Sequence, residues 1–182
     1  MTTDLRWGQR TYLMGIINVT PDSFSGDGIA PADAGEAQVV ATAVEQGRTF
    51  LEAGADILDV GAESTRPASV YGKHDKVDAA TEIARAVPVV RALVEAFGGQ
   101  AMVSIDTSKG AVAREALAAG AGMVNDVWAA RRDPDTATAA AEAGAYLVLM
   151  HNKERAQYER GVFDEVVAWL RDAVDAALER GV

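Results

Sequence analysis

The chain has 182 residues, and 17 Lys and Arg against 27 Asp and Glu leave a net charge of −10, the wrong sign for a protein that lives on nucleic-acid backbones or anionic membranes. Its 49% hydrophobic content supports a packed core. No apolar run approaches the roughly 18 residues of a transmembrane helix, and the start Met1-Thr2-Thr3-Asp4 lacks the basic-then-apolar order of a signal peptide. The absence of cysteine removes disulfides, thiolate nucleophiles and Cys-based zinc sites, leaves oxygen ligands or His74 and His151 for any metal, and fits a reducing cytoplasm.

In chain order, Leu5 to Arg10 turns at Trp7-Gly8 and is expected to form a small hairpin that caps the bottom of the fold. Short apolar runs closed by a polar residue then recur. They are Leu13 to Ile17 before Asn18, Ile57-Leu58 before Asp59, Met102 to Ile105 before Asp106, Met123-Val124 before Asn125, and Tyr146 to Met150 before His151. Each has the length of a buried strand. Val77 to Phe97 has helical spacing (Ala80, Ile83, Ala84, Val87, Val90, Val94), with Pro88 expected to kink or restart the helix. Ala53-Gly54-Ala55, Ala119-Gly120-Ala121 and Ala143-Gly144-Ala145 repeat one phrase, a glycine cap followed at once by the next strand. The last segment is helical, with Phe163, Val166, Val167, Leu170, Val174 and Ala177 on one face.

Five strand-helix alternations, with strands too apolar to have a wet face, predict a parallel sheet covered by helices. No Gly-x-Gly-x-x-Gly follows the first strand, and a polar residue closes every strand rather than one switch point. Both features favour a (β/α)8 TIM barrel over a doubly wound sheet. Such a barrel needs roughly 200 to 250 residues, so residues 1–182 are expected to be a single barrel domain that holds only its first five units. The site of a barrel lies at the C-terminal mouth of its strands. Two long loops open there. Val19 to Gly28 is rich in turn formers around Phe24, and Gly61 to Ser69 carries Ser64, Thr65 and Arg66 beside Pro67. Hydroxyls and a forked cation suit a phosphate or pyrophosphate group, although a plain surface turn with a solvated Arg explains the same residues.

Met14-Gly15-Ile16-Ile17-Asn18-Val19-Thr20-Pro21-Asp22-Ser23-Phe24-Ser25 and Asp56-Ile57-Leu58-Asp59-Val60-Gly61-Ala62-Glu63-Ser64-Thr65-Arg66-Pro67 closely resemble the two hallmark segments of the dihydropteroate synthase family. Ser104 to Lys109 and Val124 to Val127 resemble its third and fourth strand ends. The resemblance implies a barrel enzyme that joins 4-aminobenzoate to 6-hydroxymethyl-7,8-dihydropterin pyrophosphate, giving dihydropteroate and pyrophosphate, with Mg2+. It implies Asn18 as a magnesium ligand, Thr65 and Arg66 as pyrophosphate contacts, Asp106 and Asn125 as pterin contacts, and Phe24 and Pro67 around the aromatic amine. No general acid or base is assigned, because an aniline is already a competent nucleophile toward a methylene cation. Family members are commonly dimers, so a homodimer is a further expectation.

Each position also has a plainer reading. Asn18 can cap a strand end; Asp22 and Ser23 can be turn residues; Asp59 and Glu63 can be structural. Thr107 and Ser108 can start a helix. His151 is expected to be packed and hydrogen-bonded, and Lys153 and Arg155 to form a solvated face. Gly61-Ala62 stands where the family usually has two glycines. Two rivals remain: a pterin-binding methyltetrahydrofolate methyltransferase domain, which has no use for the pyrophosphate loop, and a non-catalytic paralogue.

Overall fold

The computed structural model describes residues 5–20, 35–63, 77–153 and 155–182. Among these residues the elements are β1 (Met14–Asn18), α1 (Glu36–Glu52), β2 (Ile57–Gly61), α2 (Ala79–Phe97), β3 (Met102–Asp106), α3 (Gly110–Ala118), β4 (Met123–Asp126), α4 (Asp135–Ala143), β5 (Tyr146–Leu149) and α5 (Val162–Leu178). All neighbouring strands pair in parallel, in the order β1-β2-β3-β4-β5. A sheet that adds each strand beside the last, without reversal, is the arrangement of consecutive barrel units; a doubly wound sheet reverses at its switch point.

The outer face of the sheet is apolar because the helices cover it, and the inner face is closed by apolar residues at its bottom. Ile17, Leu58, Val60, Val103, Ile105 and Val124 face the helices and pack with Ala86, Val90, Leu93, Val112 and Ala116. On the inner face, Ile57, Met102 and Met123 close the bottom around Leu5, which is 3% exposed. Residues 5–10 thus cap the bottom as expected, but as a turn rather than a hairpin. Gly8 takes φ +83°. The Tyr12 hydroxyl accepts from the Arg6 amide at 2.8 Å and donates to the Arg6 carbonyl at 3.1 Å. A side chain thereby satisfies the backbone groups that a partner strand would otherwise take.

The three Ala-Gly-Ala phrases act as proposed. Gly54, Gly120 and Gly144 have φ of +93°, +107° and +61°. The alanine after each donates to the carbonyl five residues back, Ala55 to Phe50, Ala121 to Ala116 and Ala145 to Ala140. That backward bond consumes a free helix-end carbonyl and turns the chain straight into the next strand.

In α2, the Asp78 carboxylate caps the first turn by accepting from the Thr81 amide at 2.8 Å, and that hydrogen bond lowers its pKa. The helix does not restart at Pro88; it runs unbroken to Phe97. The proline forfeits only the bond to Ala84, and Ala84 is exposed, so water can serve that carbonyl while buried Val87, Val89 and Val90 hold the helix on the sheet. In α5 the helix is as expected but its face is only partly covered. Phe163 is 78% exposed and Val174 45%, and the buried contacts are Ala173 and Ala177.

Candidate functional site

The register of the sheet sets one row of inward-facing residues at the mouth. Asn18 pairs with Gly61, Gly61 with Asp106, and Asp106 with Asn125. Three expected site residues, Asn18, Asp106 and Asn125, therefore stand on one level, and Gly61 separates the first two. A Cβ placed on Gly61 would lie 3.6 Å from Asp106 Oδ2 and 3.8 Å from Asn18 Oδ1. The missing side chain leaves open space between an amide oxygen and a carboxyl group.

One step below, Asp59 is 3% exposed. Its Oδ2 accepts from Asn125 Nδ2 at 2.9 Å. With one Asn125 N–H given to this carboxylate, the amide is oriented and its carbonyl oxygen remains an acceptor at the mouth. Among the described residues, Asp106 Oδ1 is buried without a hydrogen-bond partner. Burial raises the Asp59 pKa. Burial, together with the charges of Asp59, Glu82, Asp126 and Glu63, pushes Asp106 up to about 8. At neutral pH Asp106 is mostly the protonated acid, able to donate as well as accept.

Asp106 does not start the following helix. The first amide of α3, that of Gly110, is capped from elsewhere, donating to Asp133 Oδ2 at 2.7 Å. Thr107 donates through Oγ1 to Glu82 Oε1 at 2.6 Å and accepts from the Lys109 amide at 3.2 Å. Lys109 Nζ sits 2.5 Å from both Glu63 Oε2 and Glu82 Oε2. Burial works against its charge, but the hydrogen bonds with Glu63 and Glu82 outweigh it and raise the Lys109 pKa above the ordinary lysine value. Asp126, last in β4, accepts from the amides of Trp128 and Ala130 and from Thr136 Oγ1. It thereby holds the turn in which Ala129 and Ala130 take φ of +51° and +56°.

Sequence reasoning missed the partnership of Glu82 with Lys109, because Glu82 lies on a helix and reads as a surface acid. It also missed Asp59 as the residue that orients Asn125. The polar residue inside an apolar strand was the available signal. Phe24, Thr65, Arg66, Pro67, Asp22, Ser23 and His74 lie outside the described residues. Among the described residues no cluster of three His, Asp or Glu side chains offers itself to a metal.

After β5 two expectations change. His151 is packed against Tyr158 and Trp169, with ring centroids at 5.9 and 5.1 Å, but its buried Nε2 makes no hydrogen bond among the described residues. Lys153 is not part of a solvated face. It donates to Glu165 Oε2 at 2.7 Å and to the Gln157 carbonyl at 3.0 Å, and lies over the Tyr158 ring. Glu165 also accepts from the Arg160 amide, and these contacts, the Arg160 amide first, hold its pKa down at about 2. Arg155 is exposed as expected.

The sequence profile of a family described as pterin binding enzymes matches residues 14–182. The dihydropteroate synthase of Clostridium beijerinckii is 39% identical over 175 residues, covering 96% of this chain and 60% of that protein. A crystal structure of dihydropteroate synthase from Clostridium difficile in the presence of pteroic acid superposes with a TM-score of 0.85 at 36% identity, covering 98% of this chain and 63% of that one. The Xanthomonas albilineans dihydropteroate synthase with 4-aminobenzoic acid gives 0.74 at 37% identity, covering 96% and 56%. The chain spans about 60% of the length of the curated relatives it matches.

Proposed function

This chain belongs to the pterin-binding enzymes, and from that premise we propose that it is the pterin-holding part of a dihydropteroate synthase. The reaction is the transfer of a dihydropterin methylene from pyrophosphate to the amine of 4-aminobenzoate. The observation that carries this reading is the mouth row, in which Asp106, buried and level with Asn125, stands beside an amide that Asp59 orients; burial and neighbouring carboxylates push the Asp106 pKa up to about 8. A pterin edge presents an amino group next to ring amides. Asn125 offers it an acceptor, and protonated Asp106 offers both a donor and an acceptor without adding a buried charge. Asp106 Oδ1, without a partner among the described residues, is the kind of buried atom that a ligand completes.

Magnesium fits the same mouth. Asn18 supplies a hard amide oxygen beside the gap at Gly61, and magnesium is commonly held by one or two protein oxygens with substrate phosphates and water completing its shell. Asn18 would hold the ion, which when bound neutralises charge on the leaving pyrophosphate. In the same reading Thr65 and Arg66 contact the pyrophosphate, and Phe24 and Pro67 flank the amine. The residues themselves bind, orient and exclude water; none is asked to move a proton in the bond-forming step. The setting proposed is cytoplasmic, the partners are small molecules, and two copies of the whole protein form a dimer. The domain proposed is one barrel, of which residues 1–182 hold the first five strand-helix units. No described helix is long and apolar enough to cross a membrane.

Calorimetry with 6-hydroxymethyl-dihydropterin pyrophosphate, with and without magnesium, tests this. Metal-enhanced binding is expected. Asn18→Ala should abolish the metal effect, and Asp106→Ala, which removes both the donor and the acceptor, should weaken binding roughly ten- to a hundredfold with the metal effect kept, the scale of leaving a buried polar group unpaired. Metal-independent binding of methyltetrahydrofolate would assign the methyltransferase reaction instead, and binding of neither ligand would refute the synthase.

A further inference from the structure

The Lys109 network lies beside the mouth, and the binding scheme above leaves it unused. It joins three elements. Glu63 follows β2, Glu82 lies in the first turn of α2, and Thr107 and Lys109 follow β3. Glu82 is 1% exposed and cannot be a solvated helix acid. Its two oxygens are occupied by the Thr107 hydroxyl and the Lys109 ammonium. Glu63 uses its other oxygen, Oε1, to accept from the Val77 amide at 3.2 Å. Val77 is the residue at which the described chain resumes before α2, so one carboxylate ties together the ends of the connection between β2 and α2. A buried ion pair by itself is weak support for stability. A pair that also spans a loop base has a geometric consequence.

We propose that Lys109 is a positioning residue: by holding Glu63 against Val77 and Glu82 it fixes where the chain leaves β2 and where it enters α2. Its importance for chemistry rests on the function proposed above, because Thr65 and Arg66 come two and three residues after Glu63. The pinning itself stands on the described contacts alone.

Amide hydrogen exchange on this chain reads it directly, with the Val77 amide as reporter and the Val60 and Ile105 amides as controls for the sheet. Lys109→Met should speed Val77 exchange at least tenfold with the controls unchanged, and Lys109→Arg should restore most of the protection. Glu63→Gln, milder because Lys109 keeps Glu82, should act in the same direction by a smaller factor; it decides the matter if Lys109→Met does not fold. Combining Lys109→Met with Glu63→Gln should add less than the product of the single effects, since both break one link. Unchanged Val77 exchange in the folded variants, a rise shared equally with Val60 and Ile105, or fully multiplicative effects would overturn the proposal. Binding separates it from the functional reading. If the parent binds the dihydropterin pyrophosphate, Lys109→Met should weaken that ligand more than the pterin alcohol lacking pyrophosphate, and equal weakening would count against the role. If the parent binds neither, the functional reading fails and the exchange result alone judges the clamp.

Discussion

Asp106 carries a stability signature beside the recognition role proposed for it. Burial and the neighbouring carboxylates push its carboxyl up to about 8 in the fold, far above the ordinary aspartate range, so the folded state favours the protonated form. The stabilisation this gives is fully present below about pH 4 and is lost as the pH rises toward 8, with a slope of about 1.4 kcal/mol per pH unit for one proton. Asp106→Asn cannot ionise. Urea unfolding of the ligand-free chain should therefore lose stability between pH 5 and pH 8.5 more steeply in the parent than in the variant; parallel pH profiles would contradict the assignment. The mouth residues were legible as the polar residues that close apolar runs, and the resemblance of those segments to a known family singled out Asn18, Asp106 and Asn125. The partners were not. Asp59 lies 66 positions from Asn125 in sequence, and only the sheet register brings the two together.

At the scale of the elements, apolar spacing and glycine punctuation placed all five strands, and the Ala-Gly-Ala junctions formed as the backbone requires. The start of α3 was not legible, since its cap comes from 23 residues downstream. Asp133 serves two helices, accepting from Gly110 in α3 and from Asp135 in α4 at 3.1 Å. Close approach of these helix starts is built in, because a Cβ on Gly110 would fall 2.4 Å from the Asp135 Cβ. Asp133→Ala should cost about 1–2 kcal/mol in thermal or urea unfolding, the range of a lost helix cap. A loss below about 0.3 kcal/mol would show that water replaces the carboxylate. The partly bare face of α5 was unreadable for a different reason: periodicity predicts which side of a helix is apolar, not whether a neighbour exists to cover it.

For the whole molecule, the two outer strands decide behaviour. Among the described residues β1 pairs only with β2 and β5 only with β4. Ile16, inward-facing on β1, is 56% exposed, and Met14 and Tyr146 are 38% and 37% exposed. Open strand edges beside an apolar face favour association. Sedimentation of the 182-residue chain should show concentration-dependent association that Ile16→Lys reduces without lowering stability; a monodisperse monomer at high concentration would contradict this. Relatives with a longer chain have the length to cover these surfaces, which is why the sequence could announce the barrel while presenting only part of one.

The central claim is that the inner mouth of the sheet grips a pterin. Titration of the 15N-labelled chain with pteroic acid, followed by NMR, tests it most directly. The account predicts saturable shifts at the Asn125 side-chain amide and the Asp106 backbone amide, with Ala130 and Ala176, which line a separate hollow between α4 and α5, unmoved. Saturable shifts confined to that hollow, with Asn125 and Asp106 silent, would contradict it.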